Sequence, residues 1–145
     1  SKVTVLSEAV SKKTEAEEAM TQEAIESALP KGFPLSGSAV MTEASEGNPM
    51  LIFSAQAGIN VLTTGTGTVV SVDADETYGN KVIIDHGNGY QSIYRNGGTV
   101  LVKSGEVLGK GYILFRIGKD NQELGYQIME NDEYIDPMTL IDING

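Results

Sequence analysis

The chain holds one histidine, His86, and no cysteine among its 145 residues. A catalytic zinc site normally draws three protein ligands, mostly His with Asp, Glu or Cys completing the set, and keeps a further position open for water. One imidazole does not build the usual site. Serine triads, cysteine–histidine pairs and two-histidine relays meet the same shortage once His86 is spent on any single role. Carboxylates are plentiful, with 20 Asp plus Glu, so an acid pair stays open, but no local spacing singles one out. His86 lies between Asp85 and Gly87, where a strand runs into a turn, and reads as a structural histidine bonded to nearby backbone. The acidic run Asp73-Ala74-Asp75-Glu76 lacks the alternating ligand series and the Gly of a calcium loop, and reads as a solvated turn.

Any such chemistry has to be positioned by the elements around it. Residues 1–29 contain no Gly or Pro and place Ala16, Met20, Ala24, Ile25, Ala28 and Leu29 at helical three- and four-residue spacing. Thr14 with Glu17 reads as a capping box, and Pro30 with Gly32 as the stop. The pattern predicts an N-terminal helix or the tail of a coiled stalk over 1–29. Beyond Pro30, short runs rich in β-branched residues predict strands over Ile59–Thr63, Thr68–Asp73, Lys81–Asp85, Tyr90–Tyr94, Thr99–Val102 and Tyr112–Ile117. His86-Gly87-Asn88-Gly89 sits between two of them, and Asn-Gly supplies the positive backbone angles of a tight hairpin. Many short strands with frequent turns predict an all-β antiparallel sandwich or open barrel over 30–145, one domain preceded by one helix.

The bulk properties narrow the function classes. A chain of this length buries about two thirds of the surface it exposes when unfolded, enough for one core. The net charge of −10 repels phosphate backbones and anionic lipid, which excludes nucleic acid as an expected partner and membrane contact by this stretch. The lack of cysteine excludes disulfides and thiolate metal sites. No apolar run approaches the ~20 residues of a membrane span, and no signal-peptide pattern opens the chain. Because the first residue is Ser rather than Met, the sequence reads as a fragment from which an upstream targeting or anchoring segment has been cut.

The order of segments is recognisable. Gly67-Thr-Val-Val-Ser-Val72, then Tyr78-Gly-Asn-Lys-Val-Ile-Ile-Asp-His-Gly-Asn-Gly-Tyr90, then Ser92-Ile-Tyr94 resembles the central hairpins of the lysostaphin-like (LytM-type) zinc metallopeptidase family. Val102-Lys-Ser-Gly-Glu-Val-Leu-Gly-Lys-Gly111 looks like that family's glycine-spaced turn, and Ile135-Asp-Pro137 with Leu140 like its closing motif. The resemblance covers roughly residues 30 to 141, about three quarters of the chain. It implies the family's duplicated hybrid motif fold. All the matching segments belong to the scaffold.

The resemblance also implies where chemistry should be. Family members bind zinc through a His-x-x-x-Asp motif and the second His of a His-x-His motif. Two more histidines, one after the Tyr of the central hairpin and one opening His-x-His, handle water and transition-state charge. An ungapped register lays His-x-x-x-Asp on Asn48 and Ile52; a second register, on Gln56 and Asn60, needs about eight residues deleted before Gly67 and ranks lower. Tyr94-Arg95-Asn96 replaces the Tyr-x-His segment, leaving Asn96 in place of a catalytic histidine, and Glu123-Leu124-Gly125 replaces His-x-His. Ile52 and Gly125 carry no side-chain donor and Asn48 is a poor zinc ligand, so no zinc and no other cofactor is expected.

The expectation is a degenerate, non-catalytic peptidase-like domain outside the cytoplasmic membrane, anchored upstream or secreted, serving as a scaffold or regulator. Its partner would be an extracytoplasmic protein or peptidoglycan, met by a groove lined with Tyr94, Arg95, Asn96 and Tyr126. Two other readings stay open. An active zinc endopeptidase would need His86, Glu123 and another carboxylate to converge. A peptidoglycan-binding module would have to stack sugars on Tyr, of which there are 6, since Trp is absent.

Overall fold

The computed structural model describes residues 22–142. Residues 22–28 are helical; Thr14, Ala16, Glu17 and Met20 of the predicted helix lie outside the described residues. The helix ends at the predicted stop, and its exit is bonded to the rest of the domain. Thr66 N–H donates to Ser27 O at 2.9 Å and Gly32 N–H to Thr64 O at 2.9 Å. Gly65 fits beneath the helix end because it lacks a side chain: a Cβ there would lie 2.5 Å from Ala28 O.

Ten strands follow: β1 (Val40–Glu43), β2 (Leu51–Ser54), β3 (Asn60–Leu62), β4 (Gly67–Asp75), β5 (Gly79–Gly87), β6 (Tyr90–Asn96), β7 (Val107–Leu108), β8 (Ile113–Arg116), β9 (Glu123–Glu130) and β10 (Glu133–Ile135). The main sheet runs β1-β2-β9-β6-β5-β4-β7 with β10 on β9, and β3 pairs β8 in a second, small sheet. Every pairing is antiparallel. The all-β expectation therefore holds.

Side chains alternate across a strand, so each strand of the main sheet gives one set of residues to the core and the other to the opposite face. Phe53 of β2, Val82 and Ile84 of β5, Tyr94 of β6, and Leu124, Tyr126 and Ile128 of β9 enter one apolar cluster with Val61, Leu114, Phe115 and Ile117 from the small-sheet region. Each fully buried side chain of this size contributes on the order of 1.5–3 kcal/mol before entropy is charged against it.

The predicted strands at 59–63, 68–73, 81–85, 90–94 and 112–117 each coincide with an observed one. Gly87, Asn88 and Gly89 all take positive φ, at 77°, 51° and 83°, as the hairpin requires. Thr99–Val102 is not a strand: only Val100 bridges Phe115. The eight-residue β9, in the middle of the sheet, is missing from the prediction. Gly125 and Gln127 on its outer face interrupt the β-branched run that marks the other strands.

Candidate functional site

The register of the main sheet brings the degenerate ligand positions together. Ile52 of β2 is directly opposite Gly125 of β9, which is directly opposite Arg95 of β6, which faces Lys81 of β5. Directly opposed residues share a face, with Cβ atoms roughly 4.5–5.5 Å apart. The positions assigned to the Asp and the second His ligand are thus cross-strand neighbours on the face away from the core. This is the spacing that two ligands of one ion need, occupied by a hydrocarbon and a bare backbone. Asn48 is exposed in the loop before β2, which Ala44 N–H closes onto Met50 O at 2.9 Å.

The space over Gly125 is filled. A Cβ added there would lie 3.0 Å from Met50 Sδ, 3.3 Å from Tyr78 Cζ and 3.5 Å from Arg95 Cβ. Met50 arrives from the loop before β2 and Tyr78 from the β4–β5 turn. Donor chemistry and packing agree that the residues present do not fit a zinc ion. Among the described residues, no group of three or more His, Cys, Asp and Glu side chains is arranged to hold a metal. Glu123 shares the face of Gly125, opposite Ser54, as an exposed carboxylate.

The turn that carries Tyr78 is fastened down. Arg95 donates from Nη1 to Asp75 Oδ2 and from Nε to Gln127 Oε1 at 3.0 Å. Asp75 Oδ1 accepts the Thr77 and Tyr78 N–H groups at 2.9 and 3.0 Å. The Asp75 side chain is only 10% exposed, so the acidic stretch is not wholly the solvated turn expected. A neighbouring cation and two backbone donors draw this carboxylate inward, while Asp73 and Glu76 stay in water. Burial alone would raise the Asp75 pKa, but the bonds from Tyr78, Arg95 and Thr77 outweigh it and hold the group below the ordinary carboxylate range. The Tyr78 hydroxyl is pushed up, first by burial and then by the charges of Glu123 and Asp75, against a smaller opposing effect of Arg95.

Of the four residues expected to line an open groove, only Arg95 faces it. Tyr94 and Asn96 flank Arg95 in β6, so strand alternation turns both to the core side, and Tyr126 follows because it is paired with Tyr94. All three are fully buried. Tyr94 OH accepts from Thr64 N–H at 2.8 Å and lies 2.8 Å from Ser92 Oγ, while Thr64 Oγ1 is 2.9 Å from Tyr94 OH and 2.8 Å from Tyr126 OH. Asn96 is a four-way staple. Its Nδ2 donates to Asn121 O and Glu123 O, both at 2.8 Å, and its Oδ1 accepts from Gly98 N–H at 2.9 Å and Gly118 N–H at 3.0 Å.

His86 bonds the Thr66 carbonyl through Nδ1 at 3.0 Å and meets Ser92 Oγ through Nε2 at 2.6 Å, in keeping with a structural role. Burial lowers its pKa, partly offset by the Thr66 carbonyl and Asp85. It belongs to the core face, near the β5–β6 turn, whereas Glu123 begins β9 on the other face; the two do not converge. Sequence reasoning missed Met50, Asp75, Tyr78 and Gln127 as occupants of this face. The one available signal was an aromatic residue, Tyr78, beside the Gly79 that opens β5.

Residues 47–137, well over half of the chain, match the model of peptidase family M23. An uncharacterised lipoprotein, YgeR, of Escherichia coli (strain K12) is 29% identical over 119 residues, covering 78% of this chain and 47% of that protein. The chain thus spans about half the length of the curated relative it matches. A zinc-containing peptidase from Vibrio cholerae superposes with a TM-score of 0.64 at 21% identity, over 73% of this chain and 38% of that one. Lysostaphin from Staphylococcus simulans gives 0.58 at 20% identity, over 68% and 48%. A chain of the SpoIIQ–SpoIIIAH pore-forming complex gives 0.56 at 18% identity, over 75% and 72%. At these identities the structural likenesses establish the fold.

Proposed function

The chain belongs to peptidase family M23, and we propose that it is a non-catalytic member, acting outside the cytoplasmic membrane as a docking or regulatory module at the cell wall. One observation carries this reading. Two positions where ligands should face each other hold Ile52 and Gly125, and Met50 and Tyr78 pack over the Gly125 side of the pair. Losing only some ligands from a working site would leave inward-facing charge unpaired. Here these two replacements are a hydrocarbon and a glycine, and the mostly buried charges beside them, Arg95 and Asp75, neutralise each other.

Other findings lend support. The lipoprotein relative is consistent with a place outside the cytoplasm. Among the described residues no helix is long and apolar enough to cross a membrane. The likeness to a chain of a pore-forming complex is consistent with this fold serving in assembly.

The test is metal analysis of protein purified in excess zinc, together with digestion of isolated peptidoglycan. The expected outcome is zinc well below one equivalent and no release of cross-bridge peptides. A stoichiometric ion, or hydrolysis that a chelator abolishes, would overturn the reading. Co-sedimentation with peptidoglycan separates docking on the polymer from docking on a protein.

A further inference from the structure

Away from the groove, a second concavity of roughly 520 Å³ opens where the end of β6 meets the segment after β8. Its floor is made of glycine backbone. Gly98 passes so close to Arg116 O that a Cβ at 98 would sit 1.7 Å from it, and a Cβ at Gly118 would lie 3.1 Å from Gly98 N. Asn96, at the position the resemblance gives to a catalytic histidine, stands behind this floor and binds the Gly98 and Gly118 N–H groups with one oxygen. That staple and the missing side chains let the two glycine segments pack backbone against backbone beneath the cavity.

The charge of the lining runs against that of the chain. The protein carries 20 acidic and 10 basic residues. The lining carries Arg116 and Lys119 and no carboxylate. Neither cation forms an ion pair among the described residues. Leu101, about half exposed, adds an apolar wall. A planar guanidinium with five donors matches a carboxylate through two parallel hydrogen bonds, and an ammonium adds a second positive charge. An apolar surface beside them suits a small aliphatic side chain next to that carboxylate.

We propose that this cavity binds the terminal carboxylate of a short peptide, with Arg116 as the fork, Lys119 as the supporting charge and Leu101 against the last side chain. The site is separate from the groove and stands whether or not the groove docks a partner. Nucleic acid phosphate is a poor alternative, because the remaining surface of so acidic a chain repels a polyanion.

The probe is N-acetyl-alanyl-alanine, titrated into the protein while backbone amide resonances are followed by NMR, with the C-terminal amide of the same peptide as control. Saturable shifts at Gly97, Gly98 and Gly118 are expected with the acid, weakening as salt is raised. Binding should fall roughly tenfold or more for the amide and for Arg116→Gln, and by less for Lys119→Gln. Arg116 is exposed, so its replacement should leave the rest of the spectrum in place. Equal affinity for acid and amide, no change in Arg116→Gln, or shifts lying in the groove instead of at these glycines would overturn the proposal. Inorganic phosphate that displaces the peptide at equal concentration would also do so, by reducing the site to a general attraction for anions.

Discussion

The two faces of the main sheet solve the problem of burying polar groups in opposite ways. On the core face, His86, Ser92, Tyr94, Tyr126 and Thr64 form one continuous hydrogen-bonded network inside an apolar cluster. On the outer face, Arg95, Asp75 and Gln127 form a short polar clasp under a turn, and Tyr78 and Met50 pack over Gly125. The first arrangement is built from residues of β5, β6 and β9 locked by register, closed by Thr64 from the segment between β3 and β4. The second depends on a turn and a loop. Side-chain groups holding backbone in the interior should therefore be costly to change, whereas the outer face should tolerate changes and offer a place to rebuild chemistry.

The largest effect is expected where an interior side chain holds several backbone groups at once. Asn96→Ala leaves four of them without their partner and should cost about 3 kcal/mol or more, read as a lower urea midpoint with an unchanged slope. A loss below about 1 kcal/mol would mean that water replaces the amide and that the contrast between the faces is weaker than drawn.

Next comes Gly125→His, which restores one ligand but forces a side chain against Met50 and Tyr78 and should cost roughly 1–3 kcal/mol. Asn48→His, Ile52→Asp and Gly125→His together should still bind zinc poorly, with affinity improving once Tyr78→Ala and Met50→Ala make room. Competition with a chromogenic chelator measures this. Tight binding by the triple variant alone would show that Tyr78 and Met50 move aside freely.

Arg95→Ala opens the clasp and should cost about 1–2 kcal/mol, because the mostly buried Asp75 loses its cation but keeps the Thr77 and Tyr78 N–H groups. The pH dependence follows from Asp75, whose pKa is lowered in the folded state. Its contribution is complete above the ordinary carboxylate pKa and is lost as pH falls through the lower folded value, so acid should narrow the gap between wild type and variant.

The smallest effect belongs to His86. Its folded pKa is depressed below 6.5, so the unfolded chain takes up the proton first, and stability should decline as pH falls from 6.5 towards the folded value. Urea midpoints at pH 7.5 and pH 5.5 measure the decline, and His86→Asn should flatten it.

The strands of the central hairpins were legible because Val82, Ile84 and their neighbours combine β-branching with strict alternation. β9 was not, because its outward residues are Gly125 and Gln127 and its inward ones only complete a pattern once β6 is beside it. The residue types at the positions that the resemblance gives to the ligands were legible. What packs beside them was not, since Tyr78 and Asp75 reach Gly125 and Arg95 across strands far apart in sequence, and only register brings them there. Three of the four groove candidates are buried: a motif read as consecutive letters ignores that Tyr94 and Asn96 must point away from Arg95, and Tyr126 follows its cross-strand partner Tyr94.

The attachment of the helix end has a mechanical consequence. Ser27 is tied to Thr66 and Gly32 to Thr64, and Thr64 is the threonine that both buried tyrosines share. Tension applied to the chain ahead of residue 27 would reach this junction before any strand of the sheet. The load would have to break several bonds together, with the tyrosine hub as their backing, so the pull should be borne without peeling the sheet open from an edge.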